Sequence, residues 1–504
     1  GTPWSVAGLT RGTALEVPSA DGRIVYGGTP SDHSVIEAIR ALKAEGKEVM
    51  FYPFILMDQT AANTLPDPWS GASSQPVLPW RGRITASVAP GREGTPDGTN
   101  AISTELVAFF GTTQAAHFTV SGARVIYSGP AEWSYRRFIL HQAAICKAAG
   151  GVESFCIGSE MVALLQLRDA SGFPAVAAMQ ALAAEVRALL GPQTKIGYAA
   201  DWTEYSGYSP ANGDRFFHLD PLWADANIDF IGIDNYMTLS DWRDANDAQD
   251  AHWGSLYNLD YLRANIEGGE GYDWYYPSPE AVEHQRREPI TDGTFDEPWV
   301  WRIKDIRNWW SNPHHNRIGG ERAIAQTAWV PRSKPIRFTE IGCAAIDKGT
   351  NQPNRFVDPK SSESGLPRAS TGARDELVQM QYLRALLSYW GTEGRNPASD
   401  VYDGAMLDLA HTYVWAWDAR PYPAFPRNRD VWSDSENHAR GHWLTGRMSA
   451  RSLSSVVSEI CKAAGLSAFD VSELHGVVRG YALEDTSDAR TALQPLMLRY
   501  GFDA

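Results

Sequence analysis

The chain has 504 residues, 43% of them hydrophobic, and a formal net charge of −15. That length suits a large barrel with insertions plus a smaller piece better than one ordinary domain. The acidic balance argues against nucleic acid as a main partner, because phosphate binding needs clustered Lys and Arg.

Mean hydropathy is −0.33, and no apolar run reaches the ~18 residues that a membrane span needs. The four cysteines, Cys146, Cys156, Cys343 and Cys461, are too few for a disulfide framework and read as buried free thiols. The start, Gly1-Thr-Pro-Trp, has no Met, basic segment or signal-peptide pattern and reads as an excised fragment.

In chain order, Trp4 to Thr10 is a short apolar run that reads as a strand. Asp32 to Gly46 reads as an amphipathic helix, with Val35, Ile36, Ile39 and Leu42 at helical spacing. Glu48 to Asp58 is almost continuously apolar, as a strand buried on both faces would be. Residues 59–98, rich in Pro, Gly, Ser and Asp, predict a long loop, the kind that usually carries function. Helices are predicted over about 99–110 and 134–150, then a strand over 154–160.

A helix with Pro174 in its first turn follows over 174–190. Strands are predicted at 195–202 and 229–236, separated by a short helical stretch at 219–226. A Trp- and Tyr-rich insertion spans 240–333, a strand 335–340, a helix 374–391 and a last strand 411–418. After about residue 449, an amphipathic helix at 452–465 and patterned segments at 471–480 and 489–500 suggest a small α/β module.

Alternating strands and helices predict a parallel sheet, and the count points to a (β/α)8 TIM barrel with long loop insertions over 1–448. Seven strands are countable, near residues 5, 50, 155, 197, 231, 337 and 413. The eighth is either hidden in an irregular stretch or precedes Gly1.

Two glutamates stand out. Glu160 and Glu340 each end an apolar strand pattern, at the barrel face where chemistry is carried. A carboxylate pair there is the minimal equipment for glycosidic bond cleavage. Asp58, Asp201, Asp234, Asn235, Tyr236 and Asp418 also fall at strand ends. Trp202, Trp415 and Trp417 could stack on sugars or simply pack. Arg81 and Arg83 could grip an anionic sugar or be ordinary surface arginines, and Arg420 is expected to pair with Asp418. The 12 His show no metal-binding spacing, so neither metal nor cofactor is expected.

If the last strand is the eighth, Glu160 follows the fourth and Glu340 the seventh, an arrangement that resembles clan A glycoside hydrolases. The resemblance implies that Glu160 is the acid/base, Glu340 the nucleophile, and Tyr236 the nucleophile's hydrogen-bond donor. Ser159 stands where that clan carries a sugar-binding Asn. As the acid, Glu160 is expected to hold its proton more tightly than Glu340.

Tyr26-Gly-Gly-Thr-Pro-Ser-Asp-His33, Phe51-Tyr-Pro-Phe-Ile-Leu-Met-Asp58, Pro79-Trp-Arg-Gly-Arg-Ile-Thr85, Gly158-Ser-Glu160 and Trp415-Ala-Trp-Asp-Ala-Arg-Pro-Tyr-Pro-Ala-Phe-Pro426 together resemble a more specific family. This is the TIM-barrel-like domain in the tail-hub protein of alphaproteobacterial gene transfer agents and related siphophages. The resemblance implies further sequence before the barrel, and a partial phage-tail module over 449–504. It also implies a particle-tail protein, assembled in the cytoplasm, that meets the recipient envelope. Envelope carbohydrate and other tail proteins would be its partners. The expected function is retaining hydrolysis of envelope polysaccharide or peptidoglycan glycan, with Asp58, Arg81, Arg83, Ser159, Asp201, Trp202, Asn235, Tyr236, Trp415 and Trp417 around the substrate. The alternative is an inactive barrel used for receptor binding or tail structure.

Overall fold

The computed structural model describes residues 3–20, 22–420, 423–444, 451–481 and 487–504. At its centre lies a parallel sheet of five strands in sequential order: Met50–Phe51, Ser154–Ser159, Lys195–Asp201, Phe230–Asn235 and Ile336–Ile341. Single parallel bridges from Ile336 to Leu407 and from Ile341 to Val414 extend it by one position. The second, fourth and fifth strands are buried along their whole length, as the apolar runs predict.

The sheet curls into half of a barrel, and its two edges approach each other at both ends. At the N-terminal ends of the strands, Glu48 accepts from His411 at 3.0 Å. At the other end the Phe54 and Trp415 rings meet edge-on, 6.3 Å between centroids. The fold is therefore α/β with barrel topology.

Helices Tyr135–Ala148 and Pro174–Leu190 pack against each other outside the sheet, and their buried faces join the main core. Ser134 caps the first by accepting from the Arg137 amide at 3.3 Å, and Pro174 opens the second. Helix Glu376–Trp390 starts at Asp375, which caps the Val378 amide at 3.1 Å. Among the described residues no helix is long and apolar enough to cross a membrane.

Three predicted strands differ. Trp4–Thr10 does not join the sheet: Ser5–Val6 turns back on Leu9–Thr10 as a hairpin, with Ala7 and Gly8 both at positive φ. That two-residue turn matches the tight-hairpin geometry. The strand expected over 48–58 shrinks to Met50–Phe51, because Pro53 has no amide to continue a ladder. The segment 411–418 makes only the bridge at Val414 and holds a cis peptide between Trp415 and Ala416. The hairpin Phe118–Ser121 with Arg124–Tyr127 was not legible in advance.

Beyond the barrel, Arg451–Ser452 pairs antiparallel with Val477–Val478. Helices Leu453–Ala463 and Ala489–Tyr500 complete a small core of their own, centred on Leu453, Val457, Leu493 and Leu496. All four cysteines are buried and free.

Candidate active site

Two irregularities in the sheet place the carboxylates. Cys156 pairs with Gly197 but Ser159 with Ala199, so the second strand carries one extra residue just before Glu160. Ile233 pairs with Phe338 but Asp234 with Glu340, so the fifth strand carries an extra residue, Thr339. Such bulges re-aim side chains that strict alternation would send elsewhere. The freed Thr339 hydroxyl donates to Asp234 Oδ1 at 2.7 Å.

Glu160 and Glu340 end the second and fifth strands of the sheet, the same three-strand interval as a fourth and a seventh. One oxygen each from Glu160, Asp234 and Glu340 lie within 4.8 Å of one another. Glu160 and Glu340 are each only 7% exposed and line a cleft of about 860 Å³ at the C-terminal ends of the strands. Aromatic rings of Tyr26, Phe54, Trp80, Trp202 and Trp415 also line it.

Glu160 has φ +49°, the left-handed region, which costs a non-glycine residue about 1–2 kcal/mol. Its surroundings hold it there. Its amide donates to Ala199 O at 2.8 Å. Its Oε2 accepts from the Trp80 indole at 2.6 Å and pairs with the Arg81 guanidinium at 2.9 Å. Arg81 also donates to Ser159 O and Oγ, both at 3.1 Å, and its guanidinium lies 4.8 Å from the Phe54 ring centre. Gly82 has a purpose here, since a Cβ would strike the folded-back Trp80 ring. Gly158 likewise leaves room for the Tyr135 hydroxyl, which donates to Ile157 O at 3.0 Å.

Around Glu340, the Tyr236 hydroxyl donates to Oε2 at 2.5 Å. The Tyr52 hydroxyl donates to Asp234 Oδ2 at 2.6 Å and meets Ser159 Oγ at 2.5 Å. Burial, and then the nearby Glu160 charge, push Glu340 up to about 7, although Arg81 and the tyrosine donors oppose the rise. The sequence expectation of a raised carboxyl concerned Glu160; the structure raises Glu340, while Glu160 pairs with the Arg81 guanidinium. Asp201 is also pushed up to about 7, by burial and then by Glu160. Asp234, fully buried, is raised well above the carboxylate range by burial, then by Glu340 and Glu160. Arg81 supplies a positive charge beside this carboxyl cluster.

Of the residues singled out from sequence, Glu160, Glu340, Tyr236, Asp201, Trp202, Trp415 and Arg81 all line the cleft. Ser159 lies directly beneath, 1% exposed, its hydroxyl taken by Tyr52 and Arg81. Asn235 is buried away from the cleft, accepting from the Met237 amide at 3.2 Å. Arg83 turns to Asp67 and Glu363, at 3.6 and 3.7 Å. Trp417 is 72% exposed and outside the lining, as is Asp58, which lies near Tyr26. Arg420 pairs with Asp418, as expected, and also with Asp434.

Tyr52, Trp80 and His442 were not foreseen. Trp80 lies in the Pro79–Arg83 motif, whose site candidates from sequence are the two arginines beside it. His442, buried and pushed down to about 4, lines the cleft and packs edge-on against Tyr236.

No curated protein matches this sequence. Among solved structures, a GH113 β-mannanase from Alicyclobacillus acidocaldarius aligns over 84% of this chain and 76% of its own, at 16% identity and a TM-score of 0.34. An endo-laminarinase from Formosa aligns over 82% and 77%, at 13% identity and a TM-score of 0.30. The model of one family, described as the GTA TIM-barrel-like domain, matches residues 133–426. Trp80 and Arg81 lie ahead of that span, whereas both glutamates lie within it. With more than half of its residues matched, the chain belongs to the GTA TIM-barrel-like domain family.

Proposed function

We propose that the barrel is a retaining glycoside hydrolase, carried on a gene-transfer-agent or phage-type tail and acting on polysaccharide or peptidoglycan glycan of the recipient envelope. The observation that carries this reading is the approach of Glu160 and Glu340 oxygens to within 4.8 Å on the floor of an aromatic cleft. Retaining pairs stand about 5–5.5 Å apart, and inverting pairs about 6.5–9.5 Å.

In the first step a Glu340 oxygen bonds to the anomeric carbon as the glycosidic bond breaks, and Glu160 gives its proton to the departing oxygen. In the second, Glu160 takes a proton from water, whose oxygen replaces Glu340 at that carbon. The pair thus works with one proton between them. Tyr236 suits the nucleophile because its hydroxyl donates to the carboxylate form of Glu340. To act as the acid Glu160 must carry a proton while Glu340 is ionised, so sugar binding must displace Arg81 from Oε2.

The Arg81–Glu160 pair is also the observation that favours a second reading, in which the barrel binds an envelope sugar without cleaving it. The test is a panel of envelope glycans with the anomeric products followed by NMR. Retention of configuration is expected, with at least about a 100-fold loss of turnover in both Glu160→Gln and Glu340→Gln. Unchanged turnover in either variant sinks the assignment. Saturable binding with no products supports the second reading.

A further inference from the structure

Glu204 takes no part in the steps above, yet it is wholly buried beneath the site. Its carboxyl accepts from two places. The Tyr198 hydroxyl reaches its two oxygens at 3.0 and 3.1 Å, and the Asp201 amide donates to Oε2 at 3.1 Å. Tyr198 in turn accepts from the Met161 amide at 2.7 Å, and Met161 directly follows Glu160. The Tyr198 ring is itself fully buried and packs on Trp223, 6.0 Å between centroids.

One buried carboxyl therefore ties together the ends of two neighbouring strands. Through Tyr198 it grips the peptide that leaves Glu160, and directly it grips the amide of Asp201. Each of those residues presents its own carboxyl to the cleft. Glu160 needs such a grip, because its left-handed backbone is unfavourable on its own. A Met161 amide without a partner in this dry region would add the penalty of an unsatisfied buried donor. The strained turn and the strut thus stand or fall together.

We propose that Glu204 is a positioning residue, which acts through the Tyr198 hydroxyl to hold Glu160 in its left-handed, cleft-facing conformation and holds Asp201 level with it. Burial, then the Asp201 charge, push the Glu204 carboxyl well above the carboxylate range, so a neutral amide is a close substitute. The kinetic consequence rests on the hydrolase reading above, but the geometric one does not.

The test uses the full chain as Glu204→Gln, Glu204→Leu and Tyr198→Phe. In crystal structures, Tyr198→Phe and Glu204→Leu should release Glu160 from positive φ and break the Trp80–Glu160 bond, while Glu204→Gln should keep both. Turnover should fall by about tenfold or more in the first two, with KM within about twofold, and recover in Glu204→Gln. Exchange of the Met161 amide in the unmodified protein should rank among the slowest, a measurement that does not depend on any variant folding. Glu160 unmoved in Tyr198→Phe, or a fast-exchanging Met161 amide, overturns the strut. Absence of hydrolysis by the unmodified protein overturns the hydrolase reading alone.

Discussion

Glu340 is held in an environment that raises its carboxyl well above its ordinary range. Its raised pKa means that the folded chain holds a proton which the unfolded chain has already lost between pH 4.5 and about 7. Stability therefore falls as pH rises through that window, and Asp201 acts in the same direction between 3.8 and about 7. Urea melts at pH 5 and pH 8 should show the unmodified protein losing stability, and Glu340→Gln losing less of it. Identical losses would mean that Glu340 is not raised. The nucleophile role proposed for Glu340 requires it ionised, so on that reading kcat/KM should rise through an acid limb near pH 7. Tyr236→Phe removes a donor to the carboxylate, and should move that limb to higher pH. A limb that stays put would deny Tyr236 this role.

At the level of elements, the entry to helix Tyr135–Ala148 shows how a loop is fastened to the barrel. Glu132 accepts from the Thr112 amide at 2.9 Å, the Thr113 amide at 2.9 Å and the Ser134 hydroxyl at 2.7 Å. Burial alone would raise its pKa, but the donors from Thr113, Ser134 and Thr112 outweigh that and hold it at about 2. A lowered pKa contributes stability that is present above the ordinary value of 4.5 and lost as pH falls toward 2. Glu132→Gln should therefore be less stable than the unmodified protein at pH 7, with the gap closing in acid melts. A gap independent of pH would point to geometry rather than charge.

Elements also show where sequence legibility stopped. The 154–159 and 336–341 strands were readable, because unbroken apolar runs suit strands covered on both faces. The bulges within them were not, since an extra residue changes neither composition nor period. Yet the bulges bring Glu160 and Glu340 to the same cleft. Tyr52 and Trp80 escaped for a related reason: an aromatic residue next to a Pro or Gly reads as packing until its hydrogen-bond partner is seen.

Across the whole molecule, the half-barrel is held shut at its N-terminal end by charge. Arg337 on the fifth strand donates to Glu153 before the second strand at 3.0 and 3.1 Å, and to Asp408 at 3.0 Å. His411 joins Asp408 and Glu48 at 2.7 and 3.0 Å. Arg337→Met would strand two carboxylates, each about a fifth to a quarter exposed. The expected loss is about 2 kcal/mol, below the 3–5 of a fully buried pair, and denaturant melts at neutral pH would measure it. A loss near zero would show that the sheet edges meet without this cluster.

The amino-acid sequence by itself determined the α/β class, the order of the strands, and the placement of Glu160 and Glu340 at strand ends. Those properties follow from local periodicity, which each segment carries alone. Only the tertiary structure decided that the strand near residue 5 stays outside the sheet, that Arg81 pairs with Glu160, and that burial raises Glu340. Each of these depends on groups tens to hundreds of residues apart meeting in a dry interior, where burial and neighbouring charge outweigh intrinsic preference.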